Sequence, residues 1–520
     1  MTASHKTKTA LISVSDKQGL VPFVRQLVDN YGYRIISSGG TARVLVAAGL
    51  VVTRVEDYTG FPEMLGGRVK TLHPKVHSGL LALRDNASHV AELDQHGIGL
   101  IDLVVVNLYP FEQVVQSRGI SHEAILEQLD IGGPCLLRSA AKNYASVTAV
   151  SDPEDYPRVL EAFESAEPLE ALRAELAFKA FTLTSRYDQS IAAYLENQGE
   201  RVDLSALSGF PQVYNLSLDQ AAHLRYGENP HQQAALYGDF SKCFRQLQGK
   251  PLSYNNILDA SSAVYLIGEF EKATVAIFKH TNPCGVASDD TIEAAWEQAL
   301  ATDKKAPFGG IIIANRTIDG VLAESMSILF CELIIAPAFT DEAKACFSRK
   351  KNLRLLEVTN TLGAEALQEV RSVVGGVLVQ DRDKQKADPA GWQVVTNCEL
   401  DEGLWPALFF GWRVVKHVKS NAIVFVSEER TLGIGAGQMS RVDSIRLACM
   451  KAEDAGLALK GSIMASDAFF PFADAIEAAA EVGVRAIITP RGSIRDQEVI
   501  DAANAHQIPM IFTGTRHFKH

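Results

Sequence analysis

Long apolar runs are missing from this 520-residue chain. Nowhere do about 18 apolar residues follow one another, so no segment is a candidate for a bilayer-spanning helix. The stretch Met1 to Thr9 is mixed in polarity, and the apolar run behind it breaks at Ser13 and Asp16, which does not make a secretory signal. Cysteine is sparse: Cys135, Cys243, Cys284, Cys331, Cys346, Cys398 and Cys449 are scattered, odd in number and never spaced C-x-x-C. That pattern argues against a disulfide framework or a zinc knuckle and favours reduced, mostly buried thiols. A positive surplus is absent too: the formal charge of −12 gives no global attraction for nucleic-acid phosphate or an anionic membrane. An anionic substrate must therefore be met by local basic pockets. The expectation is a soluble cytoplasmic enzyme.

What is present suits ordinary cores. Hydrophobic residues make up 47% of the chain, and at roughly 100–200 residues per domain the length suggests about three domains. In the first part, Ala10–Val14, Arg34–Ser37, Val51–Val55, Ile101–Asn107 and Ser146–Val150 have strand character, with helical patterns between several of them. Continuous apolar runs such as Leu103–Val106 predict a parallel sheet covered on both faces. Ligands of such sheets sit beyond the carboxyl ends of the strands, here Ser13–Ser15, Ser37–Thr41 and Asn107–Tyr109. From Asp152 to Gln198 the pattern is helical, with Leu160, Phe163, Leu169, Leu172, Leu176, Phe178 and Phe181 as expected buried positions. Gln198–Gln212 has the composition of a linker, which places a boundary near residue 200 and gives domains 1–200 and 201–520. The second part mixes strands (Thr274–Phe278, Gly310–Ala314, Leu333–Ala336, Ala422–Val426, Ala486–Thr489) with helices. It contains two loosely parallel segments of strand, polar turn and helix: Thr274–Gly285 with Thr291–Ala301, and Ala422–Gly437 with Asp443–Ala455.

Several clusters can carry chemistry. Ser37-Ser38-Gly39-Gly40-Thr41 follows a strand and opens a helix, where backbone N–H groups and the helix dipole suit a phosphate; a purely steric glycine turn is about as good a reading. Gly66-Gly67-Arg68-Val69-Lys70-Thr71-Leu72-His73-Pro74 crowds two cations and a hydroxyl into one loop, with Arg68 able to grip a phosphate bidentately and Lys70 acting as a point charge. His73 and His77 stand four apart, but the intervening Pro74 and the lack of a carboxylate partner disfavour a metal pair. Asn107 and Tyr109 end the most apolar strand. Asp130-Ile131-Gly132-Gly133-Pro134 adds a carboxylate, and Lys142 lies on the following helix. Lys70, Tyr109, Asp130 and Lys142 form a set able to move protons and stabilise an oxyanion. Further on, Leu224–Gln232 packs Arg225, Tyr226, Asn229 and His231 together, and Phe278-Lys279-His280-Thr281-Asn282-Pro283-Cys284-Gly285 sets two ionisable groups at a strand end. A histidine beside Pro and Cys suggests a zinc deaminase, yet Asn282 and Ala287 stand where its glutamate and second cysteine belong. Gly433–Arg441 suits a loop approaching a ligand, and Ser466–Phe472 suits either core or the wall of a pocket for a flat heterocycle.

In order along the chain, V-S-D-K-x-G-L, S-G-G-T, G-G-R-V-K-T-L-H-P, N-L-Y-P-F, I-D-I-G-G, A-A-K-N, L-R-Y-G-x-N-P-H-Q, F-K-H-x-N-P-C-G, G-I-G-A-G-Q-x-S-R and S-D-A-F-F-P-F resemble, end to end, the bifunctional transformylase–cyclohydrolase family of purine biosynthesis. The resemblance implies an α/β chain: an N-terminal methylglyoxal-synthase-like doubly wound parallel-sheet domain, then two cytidine-deaminase-like α/β domains. It implies formyl transfer from 10-formyltetrahydrofolate as co-substrate to aminoimidazole carboxamide ribonucleotide, then ring closure to inosine monophosphate, with no zinc. Lys70, Tyr109, Asp130 and Lys142 become the cyclohydrolase residues, with Ser15, Ser38, Gly39, Gly40, Thr41, Arg68, Thr71 and Asn107 around the nucleotide. Lys279, His280 and Asn421 become the transformylase residues, with Arg225, Tyr226, Asn229, Arg441, Phe469 and Arg516 binding substrate. Small-molecule substrates and a homodimer sharing the transformylase site are implied, with neither nucleic acid nor membrane as partner. Where some relatives carry an acidic residue after an S-F-G-type turn, this chain has Gly310. The alternatives are a non-catalytic purine nucleotide sensor on the same domains, a hydrolytic deaminase and a methylglyoxal-forming lyase.

Overall fold

The computed structural model describes residues 8–109, 111–117, 120–165, 168–198, 210–211, 213–359 and 368–520. Its contacts divide the chain into two compact units, Met1–Ser217 and Leu218–His520. Most of the linker expected over Gln198–Gln212 lies outside the described residues.

The first unit is built on five parallel strands, β1 (Thr9–Val14), β2 (Arg34–Ser37), β3 (Val52–Arg54), β4 (Leu103–Asn107) and β5 (Thr148–Val150), in the order β3-β2-β1-β4-β5. Successive residues of β4 face opposite sides. Leu103 and Val105 enter one core with the helix Leu20–Asp29, while Val104 and Val106 enter another with the helices Pro74–Leu81 and Gly132–Lys142. Double-sided burial is why β4 is almost wholly apolar. The strand order reverses between β1 and β4, which opens a crevice at their carboxyl ends. The helix Glu170–Gln198 closes one side of the unit, but Phe178 is 74% exposed and Phe181 39%, against the expectation that both are buried. Its inward face is instead supplied by Leu176, Ala177, Ala180 and Tyr187.

The second unit holds a twelve-stranded mixed sheet with a plan repeated on either side of its centre. At the centre, Asn282–Asp289 pairs antiparallel with Arg430–Gly435. Outward on one side follow Ala273–Lys279, Ile311–Ala314, Leu333–Ala336, Arg354–Val358 and Phe244–Gln248; on the other follow Ile423–Ser427, Ile463–Ser466, Ala486–Thr489, Met510–Phe512 and Gln393–Val394. Both series run antiparallel, antiparallel, parallel, parallel, antiparallel. The two loosely parallel sequence segments are the matching hairpins of these halves, each followed by a helix, Ile292–Thr302 and Arg441–Ala455.

The glycine-rich stretches expected to be turns are strands instead. A Cβ on Gly285 would lie 2.0 Å from the Ala299 carbonyl oxygen, and one on Gly435 1.9 Å from that of Ser444. These glycines let each helix lie directly against its hairpin. Gly433 and Gly435 are therefore shaped by helix packing, whereas Gly437, with φ 70° and open space around it, lies in the bend after the strand. Helices Tyr254–Ile267 and Trp405–Val415 cover the other face of the sheet and share a single core.

Candidate active sites

In the first unit the crevice between β1 and β4 gathers the predicted groups. Asn107, at the end of β4, accepts hydrogen bonds from the Ser15 and Asp16 backbone N–H at 2.6 and 2.9 Å and donates to the Asp16 carbonyl at 2.9 Å, so it ties the two strands together at the switch point. The Thr41 hydroxyl, buried, accepts from the Val14 N–H and donates to the Val14 carbonyl, both at 3.0 Å. The helix Gly39–Ala47 thus starts beside the end of β1, with Ser38 as an N-cap whose side chain makes no capping bond. Its first N–H groups therefore have no side-chain cap, the state in which a helix start can accept an anion.

Lys70 is drawn to the same place: its Nζ would lie 3.4 Å from a Cβ on Gly39, and it pairs with Glu63 at 3.1 Å. Next along the chain, the buried Thr71 places its hydroxyl 2.7 Å from where a Gly132 Cβ would be. That glycine begins a second helix whose start is shaped by Asp130, which accepts from the Gly133 N–H at 2.9 Å. The Asp130 N–H in turn donates to the Tyr187 hydroxyl at 2.8 Å. Burial pushes the Asp130 carboxyl above the ordinary carboxylate value, opposed by the Gly133 and Gly132 amides. Leu108 packs on Gly133, and its neighbour Tyr109 is half-exposed.

Two predicted residues behave differently. Arg68 is turned onto the Glu127 carboxylate at the exposed rim. Lys142 ends the helix that Gly132 begins, about 15 Å along its axis, and lines a separate depression of about 650 Å³ with Leu81, Phe178 and Phe181.

The second unit has a cavity of about 1020 Å³ over the helix-covered face of its sheet. His280, Asp259, Lys416, His417 and the carboxyl-terminal Arg516 and Phe518–His520 line it. His280 occupies the two-residue turn between the strands Ala273–Lys279 and Asn282–Asp289. Strand alternation separates it from its neighbour. Val275 and Ile277 face the core opposite the cavity, and Lys279 follows their side, donating to the Phe308 carbonyl at 2.8 Å. Gly310 has no room for any side chain: a Cβ there would lie 2.5 Å from the Phe278 carbonyl oxygen.

Asn421 and Arg441 form a neighbouring cluster. The Arg441 guanidinium donates to Asn421 Oδ1, to Asp467 at 3.0 Å and, through Nε, to Ser466 at 3.3 Å and the Ala468 carbonyl at 3.2 Å. Its buried donors therefore fix Asn421 and the Ser466–Ala468 segment, and none of Asn421, Arg441 and Phe469 lines the cavity. Arg225 and Tyr226 lie near each other, guanidinium over ring at 5.5 Å, and Asn229 donates to Gln232; none of the three lines the cavity.

A model of the AICARFT/IMPCHase bienzyme family matches residues 140–451, and one of MGS-like domains matches residues 19–135. Over the whole of both chains the sequence is 52% identical to the bifunctional purine biosynthesis protein PurH of Chloroflexus aurantiacus. The chain belongs to the AICARFT/IMPCHase bienzyme family. It is also 51% identical to the PurH protein of Magnetococcus marinus and 50% to that of Enterococcus faecalis, in each case over 99% of this chain and 100% of the relative.

In this bienzyme a buried charge network under the second cavity escaped the sequence reading. Lys416 donates to Glu269 at 2.8 Å and to the Gln385 carbonyl at 2.8 Å, and His417 Nε2 meets the same Glu269 oxygen at 3.2 Å. Burial pushes His417 down to about 4, Glu269 pulling the other way, so its ring is neutral at pH 7. Burial alone would raise Glu269, but hydrogen bonds from His417 and Lys416 prevail and hold it at about 2. The network carries the carboxyl-terminal strap. His517 pairs with Asp383 and packs on Trp412, its N–H donates to the Asp467 carbonyl at 3.0 Å, and the Ser420 N–H donates to the Lys519 carbonyl at 2.9 Å. Lys519, partly buried near Lys419, Arg382 and Arg371, is pushed down to about 8, by burial first. Charged residues ending otherwise apolar helices are the signal that would have found it, and V-V-K-H-V-K shows it faintly.

Among the described residues no group of three His, Cys, Asp or Glu side chains is placed to hold a metal, and no helix is long and apolar enough to cross a membrane.

Proposed function

We propose that the two activities of this bienzyme are divided between the units, ring closure on Lys70, Tyr109, Asp130 and Lys142 and formyl transfer on Lys279, His280 and Asn421. The chain is a bifunctional enzyme of purine biosynthesis, an AICAR transformylase and IMP cyclohydrolase catalysing the last two steps of the pathway. The observation that supports the division is that each unit has a candidate proton-handling side chain of its own, the half-buried Asp130 at the start of the helix Gly132–Lys142 in the first and His280 lining the cavity of the second.

In the second unit the co-substrate is 10-formyltetrahydrofolate. The weakly nucleophilic amine of the nucleotide attacks the formyl carbon, and His280 takes the amine proton. Lys279 leaves the Phe308 carbonyl to meet the tetrahedral oxyanion, and the folate nitrogen departs with a proton. Arg441 fixes Asn421, Phe469 stacks on the heterocycle, and Arg516 meets an anionic group. Arg225, Tyr226 and Asn229, outside the cavity of their own chain, complete the cavity of a second copy in a homodimer.

In the first unit the ribonucleotide phosphate sits on the N–H groups of Ser38 to Thr41, with Ser15, Arg68, Thr71 and Asn107 around it. The carboxamide nitrogen attacks the formyl carbon of the same molecule and water leaves, so positioning does much of the work. Lys70 stabilises the oxygen as charge develops, while Asp130 and Tyr109 exchange protons. We place the enzyme in the cytoplasm.

The test follows absorbance with aminoimidazole carboxamide ribonucleotide and 10-formyltetrahydrofolate and identifies the product by chromatography. Wild type yields inosine monophosphate. His280→Ala should still close the ring of supplied formylated nucleotide while losing formyl transfer, and loss of both would break the division.

A further inference from the structure

The turn that presents His280 is held in a conformation its residues do not favour. His280 and Thr281 have φ of 53° and 61°, both left-handed. Two-residue hairpin turns with two positive φ angles favour Asn-Gly or Asp-Gly, because glycine bears no Cβ penalty there. His-Thr is a poor substitute, and a β-branched residue in this region is an outlier that surrounding structure has to enforce. The Thr281 hydroxyl is buried and has no hydrogen-bond partner, so the turn does not stabilise itself through its own side chain.

The enforcement comes from the helix Tyr254–Ile267. Asp259 Oδ1 accepts from the Thr281 N–H at 2.6 Å, and the same carboxylate meets the backbone N–H of His280. The helix itself is firmly seated. Ser253 and Asn256 cap its start reciprocally, and Ala260, Ala263, Val264 and Ile267 anchor its inner face in the core. Asp259 is next to Ala260, at the border of that core and the cavity. The far side of the turn is tied too: Asn282 Nδ2 donates to the His280 carbonyl at 3.2 Å, and its Oδ1 accepts from the Lys419 N–H at 2.9 Å.

We propose that Asp259 is a positioning residue of the formyl-transfer site, its carboxylate holding the left-handed His280–Thr281 backbone so that the imidazole faces the cavity. This rests on the reading of His280 as the base of that reaction. Asp259 acts through the main chain and contacts no reacting atom. Burial pushes its carboxyl up, opposed by the Thr281 amide, by the charge of His280 and by the His280 amide.

The experiment uses the full chain and compares Asp259→Ala, Asp259→Asn, the double substitution Asp259→Ala with Thr281→Gly, and His280→Ala. Formyl transfer and ring closure are assayed separately, with hydrogen exchange at the turn. Since an ångström of misplacement can cost about 100-fold, Asp259→Ala should lower formyl-transfer kcat about 30- to 100-fold with nucleotide KM within about 3-fold. Ring closure should be unchanged, and faster exchange should be confined to the turn. Asp259→Asn keeps an oxygen for the Thr281 N–H and should recover part of the loss. Thr281→Gly, which accepts positive φ freely, should recover more of it in the double variant. Unchanged kcat in Asp259→Ala overturns the proposal, as does a loss that neither Asp259→Asn nor Thr281→Gly relieves. Survival of formyl transfer in His280→Ala instead overturns the underlying reading of the base.

Discussion

The candidate sites of the two units are built by opposite means. The first offers main-chain N–H groups at parallel strand ends, with Gly39 and Gly132 opening two helices toward the crevice. The second offers side-chain charge, a cavity walled by Lys416, Lys419, Arg516 and Lys519 and underpinned by Glu269 and Asp383. A main-chain site is broken by adding an atom, whereas a side-chain site is broken by removing one. The contrast also explains why the first site is written as short glycine motifs and the second is spread over distant positions: Lys416 and Glu269 are 147 residues apart.

The sharpest break is His280→Ala, which should reduce formyl transfer by about 10³-fold or more through loss of its base, with ring closure of supplied intermediate measured in parallel and unaffected. Next, Gly133→Ala tests the main-chain site with one methyl. Its Cβ would stand 2.3 Å from an Asp130 oxygen and 2.9 Å from Leu108. Displacing Asp130 should slow ring closure about 100-fold while leaving formyl transfer intact. Glu269→Ala probes the charge network. It leaves Lys416 and His417 buried without their carboxylate, and truncating one member of a buried pair costs about 3–5 kcal/mol. Chemical denaturation should show that loss, and a stability unchanged from wild type would contradict the arrangement described.

The smallest effect is one of pH. With Lys519 pushed down to about 8, the folded cavity loses a positive charge as pH rises through that value. The affinity of anionic substrates should therefore fall severalfold between about pH 7 and 9, as read by substrate titration, and Lys519→Arg, which stays charged, should flatten the change. The same depressed value makes the group's contribution to stability increase with pH from about 8 towards the unfolded lysine value of about 10.4, since the unfolded chain binds more protons there.

Strand positions were legible because double-sided burial leaves an unbroken apolar run, as in Leu103–Val106. The helix start at Gly39 was legible for the same local reason, a strand, a glycine pair and a helix in immediate succession. Glycines that serve packing look identical in sequence to glycines that serve a turn, which is why the pattern around Gly285 and Gly435 predicts a turn where strands form. A helical period says which residues share a face but not whether another element covers it, and Phe178 is left outside for that reason. Asp259 and Glu269 are lone carboxylates whose purpose appears only when Thr281 and Lys416 come to them in space.

The seam at the centre of the twelve-stranded sheet has a consequence for unfolding. There Ala287 faces Arg430, and Thr431 joins the strands by accepting from the Val286 N–H at 2.9 Å and donating to the Val286 carbonyl at 3.1 Å. Thr302, on the helix packed beneath, donates to the Thr431 carbonyl at 2.8 Å. On the opposite face one continuous core takes Phe278 and Ile335 from one half and Val424 and Ile488 from the other. Two halves that share a core and a ladder cannot melt separately. The pair should therefore come apart in a single cooperative transition, and neither half expressed alone should retain its sheet.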